Sequence, residues 1–230
     1  MVRRNGVVVG AMAKGAAMLA PHLATMLAVL TTDAAAEPAT LKAALAAGVA
    51  GSFNTLSIDG ATSTNDTVIL LASGRAGPVA ETTLHAMVAD VCGELAAFMA
   101  GDAEGATKVV WVRVQGAATD DEAARAARKV GESQLVKCSW YGEDPYWGRI
   151  ASELGSAGVV FDPDRLTVRY GEHLVAEGGV DADHDHAALA DYLTGRHLEV
   201  IADLGVGRGT GTLLTNDLTH AYVDENMTTS

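Results

Sequence analysis

The sequence predicts a layered α/β fold in which helices cover β-sheets. Three observations predict it. The chain has 230 residues, 49% hydrophobic and 20% charged, enough to close one sizeable core. Strand-length apolar runs at 25–30, 67–72 and 108–115 stand among longer segments of helical character, including 81–99 and 119–130. The two kinds of segment mix without a regular βαβ repeat, which favours layers over a doubly wound nucleotide-binding sheet.

Each element has its own local reason. Thr25 to Leu30 reads as a short buried strand, bounded by the polar Thr31-Thr-Asp33. Pro38 suits the first turn of a helix through the Ala-rich stretch to about Val49, with Gly51 near its stop. A polar, turn-forming patch from Ser57 to Asp66 precedes an apolar strand, Thr67 to Ala72. Between Glu81 and Met99 the residues Leu84, Met87, Val88, Val91, Leu95 and Phe98 form one helical stripe facing a core. Lys108 to Gln115 alternates as a half-buried strand does. Thr119-Asp-Asp-Glu122 is a capping box opening a helix to about Val130. Short strands follow at 166–170, 198–204 and 212–214.

Composition and spacing exclude several functions. Acids outnumber bases 29 to 16, a formal charge of -13, and such a surface repels a phosphate backbone, so no nucleic-acid partner is expected. The apolar run from Val7 to Ala20 after Met1-Val-Arg-Arg4 resembles an export signal, but Lys14 near its middle, with Gly10, Gly15 and Pro21, argues against one. No other stretch reads as membrane-spanning, and no membrane partner is expected. Cys92 and Cys138 lack the spacing of a zinc or redox pair and read as two buried thiols in a reducing compartment. The run Gly205-Val-Gly-Arg-Gly-Thr-Gly211 has neither dinucleotide nor Walker spacing, and reads as a glycine-rich turn between strands. Asp183-His-Asp-His186 carries zinc-type ligands but no element to fix them, so it reads as a solvated loop and no metal is expected. Asp144-Pro-Tyr-Trp-Gly-Arg149 reads as an ordered turn whose aromatics are core or substrate wall.

The segment from Lys14 to Thr25 holds the chemistry. Lys14 is a lone cation in apolar surroundings, where its charge needs a partner. Ala24-Thr25 places a small residue before a threonine, which suits intramolecular attack. The hydroxyl adds to the Ala24 carbonyl, the peptide becomes an ester, and water releases a new N-terminal threonine. Its α-amine, with an ordinary pKa of roughly 7.7–8.0, is a built-in base for its own hydroxyl. The branched Cβ restricts χ1 and holds the two groups together. By residues alone this reading is weak, because Ala-Thr is a common pair, and the bland alternative is an ordinary strand start.

Several segments together resemble the ornithine acetyltransferase (glutamate N-acetyltransferase) family. Gly10-Ala-Met-Ala-Lys-Gly-Ala-Ala-Met-Leu-Ala-Pro21, Leu23-Ala-Thr-Met-Leu27 and Thr31-Thr-Asp33 are similar to its self-cleavage region. Ser52-Phe-Asn54, Asp59-Gly60 and Ser63-Thr-Asn-Asp-Thr67 are similar to its next signature. Asp102-Ala-Glu-Gly-Ala-Thr-Lys108, Leu135-Val-Lys137, Gly142, Asp144-Pro145 and Trp147-Gly-Arg149 follow in order, and Asp217-Leu-Thr-His220, Tyr222-Val223 and Asn226 close the pattern.

The resemblance implies a sandwich of two central β-sheets covered by helices, of the self-processing N-terminal-threonine type. It implies that residues 1–24 end the α segment and residues 25–230 form the β chain. Cleavage would fall between Ala24 and Thr25, making Thr25 the nucleophile. As an acyl-enzyme, Thr25 would carry acetyl from N2-acetylornithine to glutamate in cytoplasmic arginine biosynthesis. Lys14 would meet the substrate carboxylate and Glu104 its ammonium group, with Asn226 and Ser230 (or Thr229) completing the pocket. No cofactor is implied, although acetyl-CoA stays open as a second acetyl donor. The implied partner is the α chain in an α2β2 heterotetramer.

Three departures stand out. Tyr146 replaces the family's more usual asparagine, and the tail after Asn226 is about one residue short. The chain also starts well inside the family pattern, so the expectation is that most of the α segment, with the Thr-Gly pair of its oxyanion hole, lies outside it. Two alternatives follow: a related self-processing hydrolase or aminopeptidase, or an inactive truncated chain.

Overall fold

A computed structural model describes residues 1–15, 26–61 and 66–227. The chain divides into two compact units, 1–103 and 104–230, where length alone allowed a single core. Each unit has its own mixed sheet and its own helices, as a layered α/β fold requires.

The first unit holds a four-stranded sheet in the order β1 (Val2–Arg4), β2 (Val7–Lys14), β3 (Leu27–Ala35), β4 (Thr67–Pro78). Asn5 and Gly6, both at positive φ, turn β1 into β2 as a two-residue hairpin. The signal-like run from Val7 therefore supplies an interior strand, antiparallel to both neighbours. β3 differs from the fully buried strand expected at 25–30. It runs on to Ala35 and alternates, with Ala28, Leu30, Thr32 and Ala34 buried while Leu27 and Val29 are exposed. Thr32 and Asp33 do not end it, because both bond across to Val8: Thr32 Oγ1 donates to the Val8 carbonyl, and Asp33 Oδ1 accepts the Val8 amide, each at 2.8 Å.

Helices α1 (Pro38–Ala50) and α2 (Glu81–Gly101) pack together and cover the buried face of this sheet. Gly48 permits their close approach, since a Cβ there would stand 3.1 Å from Val88 Cγ1. In α2 the buried positions include 84, 88, 92, 96 and 100. Each step of four residues turns the stripe by about 40°. The covered face has therefore left the side of Phe98 by the last turn, and Phe98 is exposed, contrary to the straight stripe expected. At 21 residues, with a mean hydropathy of 1.3 in its most apolar window, α2 is long and apolar enough to cross a membrane, which the sequence reading missed. Its buried face is the pattern of a core helix.

The second unit holds a six-stranded sheet in the order β10-β5-β9-β6-β7-β8, with only β5 and β9 parallel. These strands are β5 (Val109–Ala117), β6 (Thr167–Tyr170), β7 (His173–Glu177), β8 (Val180–Asp181), β9 (His197–Asp203) and β10 (Gly209–Asn216). Helices α3 (Asp120–Gly131), α4 (Gln134–Tyr141) and α5 (Trp147–Ser156) lie over a core that includes Val112, Val130, Trp140, Ile150 and Val200. Thr119 caps α3, accepting the Glu122 amide at 3.2 Å. The glycine-rich run bends between β9 and β10. A Cβ on Gly211 would lie 2.3 Å from the Ala124 amide nitrogen, so close approach to α3 explains that glycine.

Two local expectations need correction. Asp183 to His186 is not a plain solvated loop: Asp185 caps α6 (His186–Thr194), accepting the amides of Ala188 and Ala187. Those amides hold its carboxyl below the usual range. The cysteines also differ from each other. Cys92 is buried in α2, and burial pushes its thiol up to about 11, but Cys138 faces outward from α4.

Candidate active site

Lys14 is the last residue of β2, and its register partner is Leu27, the first residue of β3. The antiparallel pairing fixes both ends of the intervening segment at one end of the sheet. Ala24 and Thr25 belong to that segment and lie outside the described residues.

The residue after Thr25 is firmly held. Met26 is buried, and its amide donates to Asp66 Oδ1 at 2.8 Å. Its carbonyl accepts the Thr67 amide at 3.0 Å, and the parallel pairing of β3 with β4 begins at Leu27 opposite Thr67. Asp66 thus holds Met26, the residue that follows the Ala24-Thr25 pair in the sequence. In the sequence Asp66 closes the turn-forming patch from Ser57 and belongs to a family signature, with no role assigned to its carboxylate. Its placement directly before a strand that pairs with β3 was the available signal.

In the second unit, Glu104 and Asn226 come together across 122 residues of chain. Asn226 Nδ2 donates to Glu104 Oε2 at 2.5 Å and to the Tyr222 carbonyl at 2.9 Å. Glu104 lies in the loop before β5, and Asn226 ends α7 (His220–Asn226). An acceptor carboxylate beside a fixed amide is suited to an ammonium group. Thr229 and Ser230 lie outside the described residues. Trp147 packs against the core and donates to Asp181 at 3.1 Å, whereas Tyr146 is exposed. Among the described residues, no three His, Cys, Asp or Glu side chains gather as a metal site.

The ArgJ family model, described as the ArgJ family, matches residues 1–229. The chain belongs to the ArgJ family. It is 50% identical over 219 residues to the arginine biosynthesis bifunctional protein ArgJ of Mycobacterium tuberculosis (strain ATCC 25618 / H37Rv), covering 95% of this chain and 54% of that protein. It is 46% identical over 228 residues to the protein of the same description from Streptomyces coelicolor, covering 98% and 58%. The crystal structure of arginine biosynthesis bifunctional protein argJ from Bacillus halodurans superposes with a TM-score of 0.82 at 33% identity, covering 86% of this chain and 97% of that one. The chain spans about half the length of the curated relatives it matches. The two mixed sheets with their helices are therefore the family's layered α/β fold.

Proposed function

We propose that this ArgJ family chain serves a glutamate N-acetyltransferase of arginine biosynthesis that acts in the cytoplasm through Thr25. The 50% identity to a bifunctional arginine biosynthesis protein, over 95% of the chain, carries the reading. The pairing of Lys14 with Leu27 supports it locally, because it brings together the two ends of the segment holding Ala24-Thr25.

In the proposed reaction, cleavage after Ala24 frees the Thr25 amine. That amine takes the proton of its own hydroxyl as the oxygen adds to the acetyl carbonyl of N2-acetylornithine. The amide C–N bond breaks, ornithine leaves with the proton, and acetyl remains as an ester on Thr25. The amine of glutamate then attacks the ester. The C–O bond breaks, and the Thr25 hydroxyl regains its proton. Lys14 binds the substrate carboxylate, while Glu104, steadied by Asn226, binds the ornithine ammonium, with Ser230 or Thr229 closing the pocket. The exchange needs no cofactor, and acetyl-CoA is a second donor to be assayed.

The partner in this reading is the α segment that the relatives' greater length provides, in an α2β2 assembly. An exposed apolar row supports it. Met12, Val29 and Ile69 are register neighbours across β2, β3 and β4, and all three are exposed, with Leu27 and Leu71 on either side. Lys14 and Glu104, the two charges that a free amino acid needs, favour acetyl transfer over a peptidase. The test is co-expression of the chain with an upstream family segment. Intact mass should reveal a chain beginning at Thr25, and acetyl should move from N2-acetylornithine to glutamate. Full transfer activity in Thr25→Ala would sink the reading.

A further inference from the structure

Three segments of the second unit have no part in the proposed chemistry: Thr107-Lys108, Lys137, and Thr215 to Thr219. The structure joins them in one buried network. The side chain of Asp217 is buried, and its Oδ1 accepts the amides of both Thr107 and Lys108 at 2.9 Å. Its Oδ2 accepts the Thr107 hydroxyl. Thr219 Oγ1 donates to the Gly105 carbonyl at 2.8 Å and accepts the Tyr222 amide at 3.1 Å, capping α7. Gly105, at a φ of +63°, lies so close to this helix that a Cβ would meet the Tyr222 nitrogen at 2.4 Å. Lys137 anchors the strap from below. Its Nζ donates to Thr215 Oγ1 and Asn216 Oδ1 at 3.1 and 2.7 Å, and its carbonyl accepts the Leu218 amide at 3.3 Å.

We propose that Asp217 is a positioning residue for substrate recognition: with Thr219 it locks the loop carrying Glu104 against the helix carrying Asn226. Two amide donors on one carboxylate oxygen fix the loop backbone three and four residues beyond Glu104. The Thr219 bond fixes it one residue beyond. Glu104 is thereby held where Asn226 reaches it, and the carboxylate meets a cation without first ordering its own loop. The strap begins at the end of β10, so the position of Glu104 is referred to the rigid sheet. The proposal rests on the reading that Glu104 and Asn226 meet the ornithine end of the substrate.

The test uses the chain assembled with its upstream segment. Self-cleavage reports folding, and steady-state kinetics report the site. Asp217→Ala should raise KM for N2-acetylornithine by about tenfold or more while kcat stays within about threefold. Asp217→Asn should restore most of the loss, because it keeps an acceptor for both amides. Thr107→Val removes only the hydroxyl contact and should raise KM by a few-fold; it carries the test if Asp217→Ala fails to fold. Adding Glu104→Gln to either variant should cost little more than Glu104→Gln alone, since both changes act through one group. An unchanged KM in Asp217→Ala and Thr107→Val, beside a raised KM in Glu104→Gln, overturns the lock alone. Additive losses in the double variants do the same. An unchanged KM in Glu104→Gln overturns the substrate reading and the lock with it.

Discussion

The amide of Met26 donates to the carboxylate of Asp66, and so the residue after Thr25 is fixed by the residue before β4. Parallel pairing of β3 and β4 starts one position further on, at Leu27 and Thr67. A buried amide left without its acceptor is costly, and the backbone at Met26 would relax with it. We expect Asp66→Ala to slow self-cleavage between Ala24 and Thr25 by about tenfold or more, followed by intact mass over time. Cleavage at the unaltered rate would show that Met26 is held well enough by its bond to Thr67.

In the proposed reaction Glu104 and Lys14 address the substrate, and neither is assigned a role in cutting the peptide. Glu104→Ala should therefore leave self-cleavage intact and reduce kcat/KM for N2-acetylornithine by about 10²-fold, the scale of a lost charge-assisted contact. Lys14→Ala should raise KM at least as clearly. Glutamate carries no side-chain ammonium, so its KM should respond less to Glu104→Ala. Equal responses from both amino acids would detach Glu104 from the ornithine end.

Much of this was legible in the sequence because local chemistry and tertiary structure agree there. Pro38, Gly51 and Thr119 mark helix ends where the helices do begin and end. The proposed cleavage segment stands out in the sequence only through the joint pattern of several motifs, since Ala-Thr alone carries little information. Other features depend on partners distant in sequence. Asn5-Gly6 is a strong hairpin signal, yet the apolar run after it has no strand pattern until β3 lies beside it. Asp217 looks like any loop aspartate until Thr107 and Lys108, 110 and 109 residues away, fold onto it. The exposed face of β3 contradicts its apolar composition because burial depends on what covers a sheet, and composition does not report that.

The two thiols offer a direct check on packing. Cys138 is exposed, whereas Cys92 is buried, with its thiol pushed up to about 11, chiefly by burial. The native protein at neutral pH should react with Ellman's reagent at one cysteine and at two in denaturant. The raised pKa also has a sign. The folded state keeps the Cys92 proton where the unfolded chain releases it, so its contribution to stability is full below about 9 and falls as pH rises towards 11. Cys92→Ala should flatten that alkaline decline in urea midpoints. Two rapidly reacting thiols in the native state would contradict the packing of α2.

The open face of the first sheet bears on whether the chain works by itself. Met12, Val29 and Ile69 form one row across three strands, and Leu27 and Leu71 extend it on the same face. Apolar surface of this kind is commonly covered in the working protein, at roughly 25 cal/mol per Å² removed from water. The relatives' additional length is the candidate cover. Ile69→Lys places a charge in that stripe on β4, the edge strand of the sheet, and changes no residue assigned to substrate. It should abolish co-purification with an upstream family segment and lower transfer activity by about 10²-fold, matching the loss of donors that such a segment would bring to the oxyanion. The unaltered 230-residue chain without the segment should be equally inactive, and adding the segment should restore it. Robust transfer by the chain alone would mean that the oxyanion donors lie within it. Undiminished co-purification of Ile69→Lys would mean that the segment docks elsewhere.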